Sequence, residues 1–531
     1  MKQPIDMRAD HAKIVADIIA RHLPGGVLVR VFGSRAKWSA KPHSDLDLAV
    51  KGKGPLPGAV LGDLAEAFSE SDLPFRVDVV DWHSVAPSFQ AVVDRDGVAL
   101  TVPLGQVATL LSGGTPSKAN SAFWNGDIPW LTPKDMGQWE GTTDAHVTKA
   151  AIGKGTRLAP ENASFVAVRG MSLHNEIRVV RSSRPITFNQ DIKAVVAGPT
   201  IDPGFLYYAL TAAKPVLLGL VSAAGHGTGV LDTDRLRSLD IPALPLDEQR
   251  TIAATIAGLD DKIEINRRMN ETLEGMAQAI FRDWFVDFGP VRRKAAGATD
   301  PQAIMGGLTT DPARAAALVT LFPAAFGADG LPVGWTAGSL ARLALLNSDS
   351  WKASNHPAEV EYVDLSNTKW GTIETTAQLK WEAAPSRARR IAKKGDSIIG
   401  TVRPGNGSYA YIGREGYTVS TGFAVLRPKQ ANYADAIYVA ATAADNITRL
   451  ANLADSHGGA YPAVNPDVVA ATPFPVVPDA VLRAFSTFAS PLREKIEQAK
   501  LENTTLADTR DYLLPRLMSG AARVVPQADA A

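Results

Sequence analysis

The stretch Lys262-Ile263-Glu264, Asn270, Thr272-Leu273 returns later in the chain as Lys495-Ile496-Glu497, Asn503, Thr505-Leu506. Upstream fragments recur at nearly the same distance. Val168-Arg169-Gly170 resembles Val402-Arg403-Pro404-Gly405, and Gly225-His226-Gly227 resembles Ser456-His457-Gly458. A period of roughly 230 residues is far longer than a solenoid unit, so what repeats is a whole domain with a helix attached. Two similar units in one chain predict a ligand read at two places, such as bipartite DNA.

The helical parts carry the clearest pattern. After Pro245 the positions Ile252, Ile256, Leu259, Ile263, Asn266, Asn270, Leu273, Ala277, Ile280 and Trp284 follow one another at alternating spacings of four and three. Leu482, Phe485, Ala489, Leu492, Ile496, Ala499, Asn503, Leu506, Arg510, Leu513 and Leu517 do the same. These are heptad seams, and neither can be left in water. A whole domain separates the two helices, so they are expected to pack antiparallel on each other. Asn266, Asn270 and Asn503 would then help fix the register. A helix over about 247–285 would span roughly 58 Å.

The expected organisation is mixed, α/β and α+β. A small domain occupies 1–100 and a first loop-rich mixed domain 101–245. A long helix follows over 246–288, then a connector over 289–330 with a short helix near 311–320. The second mixed domain covers 331–478, the second long helix 479–520, and a tail 521–531. The 55 basic residues are matched by 55 acidic ones, which argues against a non-specific polyelectrolyte binder but not against a specific DNA reader. There is no cysteine, hence no disulfide framework or thiolate site, as fits a cytoplasmic protein. The absence of a signal peptide and of a long apolar run argues against secretion and membrane spanning.

From residue 101 to about 520 the chain resembles the specificity subunit of type I restriction–modification systems. The motifs are Gly113-Gly114-Thr115-Pro116-Ser117, then Phe123-Trp124-Asn125-Gly126-Asp127-Ile128-Pro129-Trp130-Leu131. After them come Leu246-Asp247-Glu248-Gln249-Arg250 behind Pro245, and Trp284-Phe285-Val286-Asp287-Phe288. Leu331-Pro332-Val333-Gly334-Trp335 looks like the opening of the second recognition domain. Leu513-Leu514-Pro515-Arg516-Leu517-Met518-Ser519-Gly520 looks like the family's closing segment. The resemblance implies that each target-recognition domain reads half of a split sequence in double-stranded DNA. It also implies that the helical pair spaces the domains and docks two methylase subunits, with a restriction/motor subunit joining them. Major-groove faces recur about every 34–36 Å, so a stiff helix would set the spacing of the half-sites. The chain has neither an Asn-Pro-Pro-aromatic or Asp-Pro-Pro-aromatic methylase tetrapeptide nor a Walker A loop. S-adenosylmethionine and ATP are therefore expected to be used by partner subunits.

Candidate DNA contacts lie in polar, glycine-flanked loops. In the first unit they are Lys134, Arg169, His174, Asn175, Lys193, His226 and Thr228. In the second they are Arg403, Asn406, Ser408, Tyr409, Ser456, His457 and Tyr461. The run Gly225-His226-Gly227-Thr228-Gly229 reads as a turn between strands rather than a nucleotide loop. Trp124, Trp130 and Trp139 fit core packing better than base stacking.

The first hundred residues fall outside that pattern. They read as a helix over 8–21, strands over 27–32, 46–50 and 75–80, a helix over 61–68 and a closing segment near 87–97. Phe32-Gly33-Ser34-Arg35 is followed by Ser44-Asp45-Leu46-Asp47-Leu48 and then by Val77-Asp78-Val79. This set resembles the minimal nucleotidyltransferases of the polymerase-β superfamily, including antitoxins that pair with helical toxins. Alternation puts Asp45 and Asp47 on one face. Asp78 on a neighbouring strand completes a carboxylate set for Mg²⁺, with Gly33 and Ser34 facing the phosphates of an NTP. Arg35 and Lys37 suit phosphate contacts or a plain surface role equally. Two readings stay open: a specificity subunit with an accessory domain, and a protein-modifying nucleotidyltransferase addressed by the recognition domains. A degenerate fusion that only binds partners is a third.

Overall fold

The computed structural model describes residues 5–24, 27–41, 43–52, 54–224, 227–456, 462–522 and 524. It divides into two compact units, one of residues 1–262 with 505–531, the other of residues 263–504. Among the described residues no helix is long and apolar enough to cross a membrane.

The first unit begins with α1 (Ala9–His22), β1 (Leu28–Phe32), α2 (Gly33–Ala36), β2 (Leu46–Lys51), α3 (Gly58–Ser69), β3 (Val77–Asp81), α4 (Pro87–Asp96) and β4 (Val98–Ala99). The sheet order is β3-β2-β1-β4, with β2 and β3 parallel and the other contacts antiparallel. Val15, Val31, Leu46, Leu48, Val50 and Leu64 are all but fully buried in its core, as period-2 strands covered by amphipathic helices require.

This domain is packed into its unit and not merely tethered to it. Leu28 and Ala99 belong to the same apolar cluster as Phe205, Leu236 and Leu514. The strand Thr101–Pro103 pairs antiparallel with Asp240–Pro242. Buried Arg30 donates to the Asp94 carbonyl at 3.1 Å and to the Gly520 carbonyl at 2.6 Å. An arginine there satisfies a carbonyl just past the end of a helix and complements its dipole.

The first mixed fold behind it is built on two sheets. One has the order Val179–Arg181, Ser164–Ala167, Ile192–Ala197, Ala108–Ser112, all antiparallel. The other has the order His146–Val147, Trp124–Leu131, Ile186–Phe188, Arg157–Ala159, with its central contact parallel. The Gly113-Gly114 pair exists because backbone passes backbone there: a Cβ on Gly113 would lie 2.3 Å from the carbonyls of Phe188 and Asn189. Trp124 and Trp130 pack edge to face at 5.1 Å. Both indole N–H groups are bonded to the carbonyls of Ser117 and Gly114, and that of Trp139 to Arg181. All three tryptophans therefore serve packing. At the start of the first long helix, buried Gln249 donates to the Leu244 and Thr200 carbonyls and accepts from the Asp202 N–H.

The second unit repeats this plan. One sheet runs Tyr409–Tyr411, Ser397–Gly400, Phe423–Pro428, Ala344–Leu346, and the other Ala377–Lys380, Glu359–Val363, Tyr417–Ser420, Ala388–Ile391. Again the central contact of the second sheet is parallel while its flanks are antiparallel. Both strand order and sense match the first fold, so the sequence repeat is a structural duplication.

The two long helices are Leu246–Phe281 and Asp479–Ser519, of 36 and 41 residues. In the second unit Asn266 faces Asn503 and Glu274 faces Arg493, which makes the pair antiparallel. In the first unit Asp260 pairs with Arg510 at 2.9 Å. Every predicted seam position among Ile252, Ile256, Leu259, Ile263, Asn266, Asn270, Leu273, Ile280, Leu492, Ile496, Asn503, Leu506 and Leu513 is buried or half-buried. The side-chain oxygen of Asn270 has no hydrogen bond among the described residues. The heptad frame does not reach Trp284 intact. A π-turn over Arg282–Val286 inserts an extra residue, and Trp284 and Phe285 are both buried as a result.

Candidate functional site

In the N-terminal domain, the β1–α2 junction turns at Gly33 with φ 75°. A Cβ there would meet Asp47 Oδ2 at 2.1 Å, so only glycine lets the turn lie against that carboxylate. The parallel register sets Asp47 directly beside Asp78, and Asp45 precedes β2 as an exposed residue. Burial pushes the Asp47 carboxyl up, and the neighbouring charges of Asp78 and Asp45 push it further. Such a site favours a cation, and its oxygen donors suit a hard divalent one. The cage is not closed: Arg76 Nε holds Asp78 at 2.8 Å, and no three acidic or histidine groups stand in metal-binding proximity among the described residues. Ser34 lies half-buried in α2, its carbonyl accepting from the Ser39 N–H at 3.0 Å.

Arg35 is not a phosphate ligand. It is 6% exposed and spends its donors on the carbonyls of Ser44 and Asp6, with its guanidinium over the Phe75 ring. It therefore anchors the loop that delivers Asp45. Lys37 pairs with Asp96 at 2.8 Å.

In the first mixed fold, a three-stranded sheet of Arg169–Gly170, Thr228–Val230 and Ser222–Ala224 gathers four of the expected contacts. Arg169 is exposed opposite Val230, and Thr228 is half-buried on the central strand. His174 ends the 3-10 turn Met171–His174 and lies 3.0 Å from the Gly227 carbonyl, with exposed Asn175 next to it. Lys134 and Lys193 stand elsewhere. Lys134 pairs with Asp144 at 2.7 Å, and Lys193 donates to Ser112 Oγ at 2.6 Å. Burial holds the Lys193 ammonium below its ordinary range, helped by Arg237. His226 lies outside the described residues.

In the second fold, Arg403 and Asn406 are exposed on the turn Pro404–Asn406 and its flank. Ser408 is 6% exposed and its hydroxyl donates to the Leu365 carbonyl, so it faces the protein and not a ligand. Tyr409 is half-buried; burial, with the Glu274 charge, pushes its hydroxyl up to about 12. Ser456 is exposed and bonded to the Leu453 carbonyl. His457 and Tyr461 lie outside the described residues.

Two prominent surface side chains beside these loops were missed from sequence: Met171, 74% exposed, and Trp370, 61% exposed. The Trp370-Gly371 dipeptide, between Lys369 and Thr372, was the available turn signal.

Two families match. Residues 99–275 match the family described as type I restriction modification DNA specificity domain, and residues 18–102 the polymerase beta nucleotidyltransferase family. The type I restriction enzyme MjaIX specificity subunit of Methanocaldococcus jannaschii is 30% identical over 36% of this chain and 44% of its own length. The EcoR124I/EcoR124II specificity subunit of Escherichia coli is 31% identical over 31% of this chain and 42% of its own. The probable protein adenylyltransferase MntA of Haemophilus influenzae is 42% identical over 17% of this chain and 79% of its own. The chain thus spans less than half the length of the specificity subunits it matches.

Proposed function

Because the chain belongs to the polymerase-β nucleotidyltransferase family at its N-terminus and carries a type I restriction–modification DNA specificity domain behind it, we propose that it directs a DNA methylase to a split target sequence. The observation that carries this reading is the duplication: two recognition folds of identical strand order, each followed by a long helix of an antiparallel pair. Each fold would read one half of a bipartite site in double-stranded DNA, using side-chain contacts to base edges and positioning contacts to phosphates. The helices would dock methylase subunits, two by the symmetry of the duplication. Exposed Ile265 and Leu501 offer them apolar surface. A restriction/motor subunit would join the same assembly. Methyl transfer and ATP use would reside in those partners.

The test is single-molecule sequencing of DNA from cells expressing the chain with its methylase, against cells with the methylase alone. A split methylated motif that appears only with the chain supports the reading. A stable complex with a competent methylase and no motif rejects it.

The N-terminal domain supports a second activity, nucleotidyl transfer to a hydroxyl acceptor, with a helical toxin-like protein as the partner. Asp45, Asp47 and Asp78 would hold Mg²⁺, which supplies charge neutralisation on the departing pyrophosphate. Gly33 leaves the approach to Asp47 open, and the Ser34 hydroxyl and N–H would receive the phosphates of an NTP. Arg35 acts on the site only by fixing the carbonyl of Ser44. Radiolabel transfer from ATP that disappears in Asp45→Asn/Asp47→Asn supports this activity; no transfer by the wild-type chain to any co-expressed protein argues against it.

A further inference from the structure

The turn Trp370–Gly371 joins two very short strands, Thr368–Lys369 and Thr372–Ile373. Both turn residues have positive φ, 43° and 85°. A two-residue hairpin of this kind favours Asn-Gly, and a tryptophan in the left-handed region is an outlier. The surroundings enforce it. The Trp370 N–H donates to the Gly407 carbonyl at 2.7 Å, and the Gly371 N–H to the Tyr409 carbonyl at 2.9 Å. Lys500 Nζ, on the second long helix, donates to the Gly371 carbonyl at 2.8 Å. The indole lies over Gly407, where a Cβ would come within 2.5 Å of the ring. It is nonetheless 61% exposed. A strained turn held by three bonds, with its large ring displayed to solvent, marks a site of use rather than of packing.

The turn whose Gly407 carbonyl accepts from Trp370 begins at Arg403, a second non-glycine residue in the left-handed region, with φ 46°. The first recognition fold also shows an arginine next to an exposed apolar side chain. Arg169, the duplicate of Arg403, is exposed, and Met171 two residues on is 74% exposed. Each fold thus displays one arginine and one large exposed apolar side chain, Met171 just after its arginine and Trp370 on the hairpin that follows Glu359–Val363. Resting on the reading of the two folds as DNA readers, we propose that Trp370 and Met171 are base-contacting residues. Each makes the apolar contact to the bases beside the polar contact of its arginine. Stacked bases offer flat apolar faces and thymine methyls, and aromatic and methionine side chains engage both at base steps. A guanidinium offers the complementary contact to guanine edges or phosphate.

Each recognition fold reads its own half-site, so the two residues report separately. Cells expressing the methylase with wild type, Trp370→Ala or Met171→Ala are compared by single-molecule methylation sequencing. Trp370→Ala is expected to lower methylation about tenfold or more, or to relax base preference, in one half of the motif only. Met171→Ala is expected to do so in the other half. Trp370→Asn separates reading from folding, because asparagine tolerates the left-handed region. It should melt no lower than wild type and still lose the half-site. An unchanged motif and rate in both alanine variants overturns the proposal while leaving DNA recognition intact. So does a Trp370→Asn protein that keeps the half-site. A wild type that directs no motif overturns the recognition reading, and this inference with it.

Discussion

Asn266 and Asn503 meet amide to amide between the two long helices, Asn266 Nδ2 donating to Asn503 Oδ1 at 2.9 Å. The same nitrogen reaches Glu502 at 2.7 Å, and Asn503 Nδ2 donates to the Ile263 carbonyl at 3.3 Å. Asn266 is 1% exposed. Asn266→Ala strands the amide oxygen of Asn503 inside the seam, and the loss should be about 1–3 kcal/mol in a denaturant melt. Replacing both asparagines with leucine should raise the melting point, because no polar group is then left unpaired. The helices should also gain freedom to slide, since a polar pair at a seam position is what penalises a shifted register. Disulfide trapping between cysteines placed on the two helices would read that slippage.

Arg493 is 4% exposed and bridges Glu274 at 2.8 Å to Asp435 at 3.8 Å, with its guanidinium 4.0 Å above the Tyr438 ring. Arg493→Met leaves two buried or half-buried carboxylates without their cation, at about 3–5 kcal/mol. Burial already pushes the Asp435 carboxyl above its ordinary value, while Ser490 and Arg493 hold it down. Without Arg493 it rises further. A carboxyl raised in the folded state loses stability as pH rises through the window above its unfolded value. The deficit of Arg493→Met should therefore shrink on acidification from pH 8 towards pH 5, as thermal melts across that range would record.

The raised Asp47 carboxyl carries the same sign in the N-terminal domain. Its ionised form is strained by Asp78 and Asp45, so Asp47→Asn should melt higher than wild type above the ordinary carboxylate range. Mg²⁺ should raise the melting temperature of wild type and leave the variant nearly unmoved. A stabilising effect of Mg²⁺ that survives in the variant would argue against a metal role for this carboxylate.

Removing residues 1–100 should damage the first mixed fold, because Leu28 and Ala99 lie in its cluster. The truncated chain is expected to melt several degrees lower and to aggregate. A truncated chain with the parent melting point would show that the shared cluster contributes nothing.

Much of this was legible from the residues. Local periodicity is enough to draw the long helices, because each seam position is fixed by its neighbours three and four residues away. The strand-borne Asp47 and Asp78 were equally plain, since alternation along a strand decides which face a side chain takes; Asp45 falls one residue before its strand. Contacts between distant residues were not legible. Nothing local says that Arg35 serves the Ser44 carbonyl and not a phosphate, or that Ser408 turns inward to Leu365. The π-turn at Arg282–Val286 escaped because heptad counting assumes one helical pitch throughout. Trp370 escaped because a bulky residue in a left-handed turn contradicts its own propensity, and only the turn's bonds to the Gly407 and Tyr409 carbonyls and from Lys500 reveal why it is there.

The hydrogen bond from Arg30 to Gly520 has a consequence for how the protein is made. The N-terminal domain leaves the ribosome first and begins to fold there. Yet one of the carbonyls that satisfies its buried guanidinium lies 490 residues further along the chain. Until that carbonyl is made, the donor must be met by water. A nascent or prematurely terminated chain would hold its first domain in a looser state than the finished one.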